Sequence, residues 1–314
     1  LDRASVMMHE ARHIDGYPHI TCTRGPRKGL QGACDRKISE GGSYAVTVET
    51  YAQLAKYAEG IHPAMKAYAR ASAAVYADET FETPAKVNRT EKLLVLTNSS
   101  DFHVIDLQKN ETKQLGKAYA TGKIVRRAQH MIMIPTDKTQ KAQYVFANNE
   151  GTIDQSPNDF ISQYNESPVA EKAKFVDYHI AAQWNAKIYK NEIIFSCDPR
   201  AAGETKLQIP AGQVAANIIY PTGYSREKPT AHLMTESGSV FEFGCVNKQA
   251  SLKATSMSYS EKFSRINVAS GKVIGLSQDG NLFSIADGRV TPLETSLRGT
   301  IVEITPFESY EFFE

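Results

Sequence analysis

Residues 9 to 19 read His-Glu-Ala-Arg-His-Ile-Asp-Gly-Tyr-Pro-His. His9 and His13 are four apart, so a helix sets both imidazoles on one face. Glu10 follows His9 and can reach a water on an ion held by that pair. This is the His-Glu-x-x-His arrangement of zinc sites. Zinc accepts neutral imidazole nitrogens, and catalytic sites combine three protein ligands with a water. The ion makes that water acidic and polarises a scissile carbonyl. Glu10 would take the proton from the water and pass it to the leaving amine. Gly16 permits a sharp turn after the helix, and His19 comes back six residues beyond His13 as a third imidazole.

The segment resembles the metzincin clan of zinc metallopeptidases, whose motif is His-Glu-x-x-His-x-x-Gly-x-x-His. His9, Glu10, His13, Gly16 and His19 meet each fixed position. The resemblance implies His9, His13 and His19 as zinc ligands and Glu10 as general base. It also implies a Met-containing turn beneath the ion. Met65 is the conceivable counterpart, but its surroundings read as helix and a core role suits it better. The clan places a sheet upstream of the motif helix, and its edge strand binds the substrate backbone. Eight residues precede His9. The expectation is therefore that a segment before Leu1, or a second chain, completes the cleft, or that the enzyme is a reduced one.

A rival third ligand is Glu49, in the predicted second helix. The arrangement is similar to the thermolysin-like clan, where a Glu on a later helix joins the two histidines. Tyr44, Val46, Val48, Tyr51 and Leu54 surround Glu49, and a carboxylate among them needs a partner. His19 and Glu49 thus both stand as candidates, and Glu49 can instead orient a ligand imidazole. Asp15 is a candidate acceptor for a ligand histidine, against a solvated helix-end role. Arg12 is a candidate partner of Glu49 or Asp35, against a surface role. Tyr17 and Tyr44 are candidate donors to an oxyanion. His62, His103, His130, His179 and His232 are scattered without ligand spacing, and Trp184 reads as packing.

These residues must be positioned by helices. Residues 2 to 14 contain good helix formers and no Gly or Pro, and Gly16 and Pro18 stop the run. Residues 20 to 42 read as loop. A second helix is predicted from Ser43 to Ala58, although its Val-Thr-Val-Glu-Thr stretch lowers propensity. A third is predicted from Pro63 to Ala77, with Met65, Tyr68, Ser72, Val75 and Tyr76 near helical spacing. Cys22 and Cys34 flank a loop carrying Arg24, Arg27, Lys28, Arg36 and Lys37. A disulfide there would staple the loop and place the chain in an oxidising compartment; a reduced pair is the alternative. The basic loop favours acidic peptides or is simply solvated.

Beyond residue 91 the pattern changes to apolar alternation around turn residues. Asp279-Gly280 is a strong hairpin signal. Similar units turn near Gly238, Gly151, Ser100 and, more weakly, Ala201, at steps of about 45 residues. Propeller blades of four strands need roughly 40 to 50 residues. A five-bladed propeller is the predicted reading, with a sandwich or irregular barrel as the alternative.

The chain has 314 residues, 41% of them hydrophobic and 23% charged, which excludes a disordered or fibrous chain. Lys plus Arg is 36 against 35 Asp plus Glu, so no broad nucleic-acid footprint is expected. Apolar runs are too short for a transmembrane helix. Asn-x-Ser/Thr occurs at Asn88, Asn98, Asn110 and Asn165 and says little about export. Taken together, the expectation is an α+β multidomain protein: a small helical zincin-like module over 1–80, a linker over 81–91 and an all-β domain over 92–314. It would be a secreted or periplasmic zinc metallopeptidase acting on a protein or peptide. The alternatives are a propeller-based binding or scaffold protein with a vestigial metal site, and a zinc hydrolase of non-peptide amides.

Overall fold

The computed structural model describes residues 2–25, 27–61, 63–83, 85, 88–127, 130–145, 152–153, 159–180, 184–198, 203–219 and 230–311. The chain divides into two compact units. One is Leu1–Thr90 with Ala128–His130 and Glu308–Glu314; the other is Glu91–Arg127 with Met131–Phe307.

The first unit holds three helices, α1 (Asp2–Ile14), α2 (Ser43–Tyr57) and α3 (Pro63–Glu79), with a short 3-10 turn at Ile38–Glu40. On α2 the buried side chains Ser43, Thr47, Tyr51 and Ala55 recur every fourth residue, which makes one face. The stripe on α3 is in part the one read from the sequence, since Ser72 is buried and Tyr68 and Tyr76 pack against the core. Ala69, Ala73 and Ala77 are fully buried, whereas Met65, Tyr68, Val75 and Tyr76 are partly exposed. Small side chains let α2 and α3 approach closely, so the alanines take the interface. Phe81, with no exposed surface, closes this core beside Tyr51 and Val48. Burying such a ring is worth roughly 2–3 kcal/mol. Phe81 is core, and the first strand begins at Asn88.

The second unit is an all-β, propeller-like domain of four-stranded antiparallel sheets. One sheet joins β1 (Asn88–Thr97), β2 (Asp101–Asp106) and β3 (Glu111–Lys117) to the last strand of the chain, β20 (Ile301–Glu311), in the order β20-β1-β2-β3. The others follow in sequence. The strands β4 (Gly122–Arg127), β5 (His130–Pro135), β6 (Gln143–Val145) and β7 (Thr152–Ile153) form one. Helices α4 (Asp159–Glu166) and α5 (Val169–Lys172) intervene before β8 (Phe175–Ile180), β9 (Asn185–Tyr189), β10 (Glu192–Ser196) and β11 (Thr205–Gln208). Then come β12 (Ala215–Ile219), β13 (Thr230–Thr235), β14 (Ser239–Val246) and β15 (Gln249–Ser258), and finally β16 (Phe263–Ala269), β17 (Lys272–Ser277), β18 (Leu282–Ala286) and β19 (Arg289–Pro292). The propeller-like architecture is present, but with four full blades rather than the five expected. Four sheets have outer strands of at least four residues, while β7 has two.

Turns near Ser100, Gly238 and Gly280 are where the pattern placed them. Those near Gly151 and Ala201 lie outside the described residues, although β6–β7 and β10–β11 pair as hairpins. Gly238 has φ of +82°, and a Cβ there would meet the carbonyl oxygen of Tyr259 at 1.9 Å, so no other residue fits the turn.

Apolar clusters join each sheet to the next. Trp184, Phe195 and Phe243 pack the β8–β11 sheet on β12–β15, which confirms Trp184 as packing. Leu94, Phe102 and Met131 join the sheet containing β20 to β4–β7. A polar belt accompanies these clusters. The ladders of β8, β12 and β16 each slip by one residue at the same place, between Phe175 and Asp177, Ala215 and Asn217, and Phe263 and Arg265. Asp177, Asn217 and Arg265 are thus equivalent, and each reaches the next sheet. Asp177 Oδ2 accepts from Ile218 N at 3.0 Å, Asn217 Nδ2 donates to Ile266 O at 3.0 Å, and Arg265 Nε donates to Glu303 Oε2 at 3.1 Å. Lys123, from β4, meets Asp177 at 2.9 Å.

Both pairs of cysteines form disulfides, Cys22–Cys34 and Cys197–Cys245. Two disulfides and no free cysteine point to an oxidising environment. No described helix is long and apolar enough to cross a membrane.

Candidate metal centre

α1 carries His9 and His13 on its half-buried side, toward α2. Gly16 then turns the chain at φ of +90°, its N–H donating to His13 O at 3.1 Å. The returning segment brings His19 to the same point. The ring nitrogens that His9, His13 and His19 can offer lie within 4.8 Å of one another, the one such group of His, Cys, Asp or Glu among the described residues.

Each imidazole is oriented through its other nitrogen. His13 Nδ1 donates to the carbonyl of Tyr17 at 2.8 Å, and His19 Nδ1 donates to Asp35 Oδ1 at 2.8 Å. His9 Nδ1 meets Thr47 Oγ1 at 3.0 Å. Thr47 Oγ1 itself donates to Ser43 O, so it accepts from His9. Where the rings are neutral, each Nε2 is then left as an acceptor. His9 Nε2 and His19 Nε2 stand 2.9 Å apart. Ring nitrogens so close share a proton or a metal ion. The donor set therefore fits a metal ion that takes imidazole, with the oriented ligands that such sites require.

The scaffold explains this precision. Asp35 is buried, and its second oxygen accepts from Tyr44 N at 2.8 Å. Gly42 packs against it: a Cβ at Gly42 would lie 2.7 Å from Asp35 Oδ2. Ile20, next to His19, pairs with Cys34, next to Asp35, through hydrogen bonds of 2.7 and 3.2 Å. The Cys22–Cys34 bridge thus staples the segment that delivers His19 to the one that orients it. Tyr44 stacks on His19 at 4.5 Å and meets His9 edge-on at 4.9 Å. Burial, followed by the charges of His19 and His13, holds His9 below its ordinary pKa, while Glu10 and Asp35 pull the other way.

Several expected roles fall to other atoms. Glu49 accepts from Gln53 at 2.9 Å on the exposed side of α2 and is not in the cluster. Asp15 pairs with Arg12 at 2.6 Å rather than with a histidine; Asp35 takes that part. Arg12 meets neither Glu49 nor Asp35: it donates to Gly41 O at 2.8 Å and covers the ring of Tyr17. Tyr17 contributes its carbonyl, and the Tyr44 hydroxyl accepts from Arg27 at 3.4 Å. Met65 belongs to α3 and not to a turn. The basic loop is not merely solvated. Arg24 donates to the carbonyls of Asp78 and Phe81 at 2.6 and 3.0 Å, capping α3, and Arg27 lies 5.6 Å from the rings of Tyr44 and Tyr76. Glu10 is exposed, near enough to His9 to act on its charge.

Thr47 and Asp35 escaped sequence reasoning as orienting residues. Thr47 stood out there as a β-branched residue that weakens a helix, and that misfit was the available signal. Asp35 gave none, because its contact with His19 depends on the disulfide-bonded fold of the loop.

No protein-family model matches the chain, and no curated protein does. Among solved structures, a protein from Lactobacillus plantarum is similar over 68% of this chain and 71% of its own, at 11% identity and a TM-score of 0.34. BamB from Moraxella catarrhalis is similar over 65% of this chain and 57% of its own, at 10% identity and a TM-score of 0.29. At such low similarity the fold description rests on the chain's own sheets and clusters.

Proposed function

We propose that His9, His13 and His19 bind one zinc ion and that this metzincin-like centre hydrolyses peptide bonds. The observation that carries the metal is the convergence of one ring nitrogen from each of three histidines, whose Nδ1 atoms all have hydrogen-bond partners. When bound, zinc supplies a Lewis acid that polarises a carbonyl and acidifies a water. Asp35, Thr47 and the Tyr17 carbonyl hold the imidazoles in their metal-accepting tautomer. Glu10 would take a proton from the attacking water and pass it to the leaving amine. His9, His13 and His19 would hold the ion. The module over 1–80 would carry this chemistry, the segment over 81–91 would connect it, and the propeller-like β-domain over 92–314 would recruit the protein or peptide. The disulfides favour a secreted or periplasmic setting.

The second reading, a propeller-based binding or scaffold protein with a non-catalytic metal site, is the better supported of the two and asks for less. It needs only the three histidines and the β-domain. It is favoured by Glu10, whose carboxylate is exposed, with no hydrogen bond described to the cluster. Metal content and cleavage of a peptide library, measured on wild type and Glu10→Ala, separate the two. Zinc in both proteins with cleavage only by wild type supports hydrolysis. Zinc in both without cleavage supports the scaffold. No zinc, even after adding it back, removes the centre.

A further inference from the structure

The three helices of the first unit are held in different ways. α2 and α3 share the core built on Val48, Tyr51, Ala69, Ala73 and Phe81, and no described residue of α1 belongs to it. On α1 every described apolar side chain faces out. Val6, Met7, Met8 and Ile14 are 55%, 73%, 51% and 88% exposed, and Ala4 and Ala11 are exposed as well. Among the described residues of this helix only Ser5 is buried, and His9, Arg12 and His13 are half-buried. The usual amphipathic arrangement is inverted: the polar stripe turns inward.

Hydrophobic burial therefore does not dock α1. Hydrogen bonds contribute: His9 meets Thr47 at 3.0 Å, Ser43 Oγ lies 3.3 Å from His13 Nδ1, and Arg12 donates to Gly41 O at 2.8 Å. Each replaces a hydrogen bond to water and gains little net. Isolated helices of about 12–15 residues or fewer are marginal in water, and α1 has 13. The third histidine is anchored otherwise. Asp35 holds the His19 ring, Ile20 beside it pairs with Cys34, and the Cys22–Cys34 disulfide braces both segments. The site is thus divided, with two imidazoles on a helix that has no core and one on a covalently braced loop. An ion bound by all three ties the first part to the second.

We propose that the ion is what docks α1: with metal bound the helix is folded against α2, and without it α1 comes away while α2, α3 and the braced loop stay in place. The inference rests on the metal reading of His9, His13 and His19, and it holds whether or not the centre hydrolyses anything. It makes the centre a switch. Loss of the ion also withdraws two of its ligands and Glu10, and reloading must refold α1. The signal is the free concentration of a divalent ion that takes imidazole.

Amide hydrogen exchange of the full chain, read by mass spectrometry with zinc and after chelation and dialysis, tests it, with metal analysis on the same samples. At free zinc about 100 times its Kd, the amides of α1 from Val6 onward should exchange roughly 100-fold more slowly than in the metal-free chain. Those of α2 and α3 should not change. His19→Ala alters nothing on α1, yet it should give the fast pattern even with zinc added. Met7→Ser should keep the slow one, because that side chain lies outside the core. If zinc binds and α1 exchanges equally with and without it, the proposal is overturned and the metal reading stands. If no zinc binds, both fall. Equal loosening of α2 and α3 on chelation, or release of α1 by Met7→Ser with zinc bound, also overturns the proposal.

Discussion

Both units carry polar side chains between elements of structure, and they satisfy them in opposite ways. In the β unit, Lys123, Asp177, Asn217, Arg265 and Glu303 hand their hydrogen bonds from one sheet to the next. In the helical unit, Asp35, Thr47 and the Tyr17 carbonyl take one nitrogen of each histidine and leave a group of ring nitrogens within 4.8 Å of one another. A network that runs from sheet to sheet contributes to folding whatever is dissolved around the protein. A network that converges on ring nitrogens gains its full stability only with a cation. The contrast teaches that buried polar groups signal function by how their partners are distributed more than by how many there are.

The sharpest test removes a ligand. His13→Ala should abolish stoichiometric zinc, read by metal analysis after dialysis, while leaving the melting of the β unit unchanged. Asp177→Ala should break the belt between sheets instead: it strands the Lys123 ammonium and should cost about 3–5 kcal/mol in denaturant unfolding, with zinc content unaffected. If Asp177→Ala changed zinc content, the two networks would not be separable.

The disulfides come next. By chain entropy, Cys197–Cys245, with a separation of 48, should stabilise by about 4 kcal/mol, and Cys22–Cys34, with a separation of 12, by about 3 kcal/mol. Only Cys22→Ser with Cys34→Ser should also weaken zinc binding, because that bridge holds Ile20 against Cys34. Equal zinc affinity in both double variants would break the link between staple and site.

A pH series sharpens the contrast further. Burial pushes His179 down to about 3 from 6.5. Its unfolded form therefore binds a proton that the folded form refuses. The stability concerned is present above pH 6.5 and is lost as pH falls toward 3, with a limiting slope of about 1.4 kcal/mol per pH unit. Melting of the β unit between pH 7 and 4 should follow this slope, and His179→Gln should flatten it. The smallest expected effect is at the orienting shell: Thr47→Val should weaken zinc by about tenfold and Asp35→Asn by roughly 10- to 100-fold. Gly42→Ala should resemble Asp35→Asn, since its methyl displaces the same carboxylate.

Much of the local structure was legible. α1 runs over the residues its composition marked, and Pro63 opens α3 as expected. The glycines at 16, 238 and 280 turn the chain where it was read to turn. Spacing also placed His9, His13 and His19, because the helical period and one permissive glycine are short-range properties. The buried face of α3 was read only in part: Ser72 and Tyr68 lie on it or beside it, whereas close helix packing gives its centre to Ala69, Ala73 and Ala77.

What the sequence determined by itself, then, is the set of atoms able to hold an ion and the periodicity of the elements around them. Tertiary structure alone decided the rest. It chose Asp35 over Asp15 as the partner of His19, put Thr47 beneath His9, paired Cys197 with Cys245, and brought β20 from the end of the chain to β1. Each of these joins residues far apart in the chain. Such pairings follow from which buried surfaces can be packed and hydrogen-bonded together, and no local pattern encodes that.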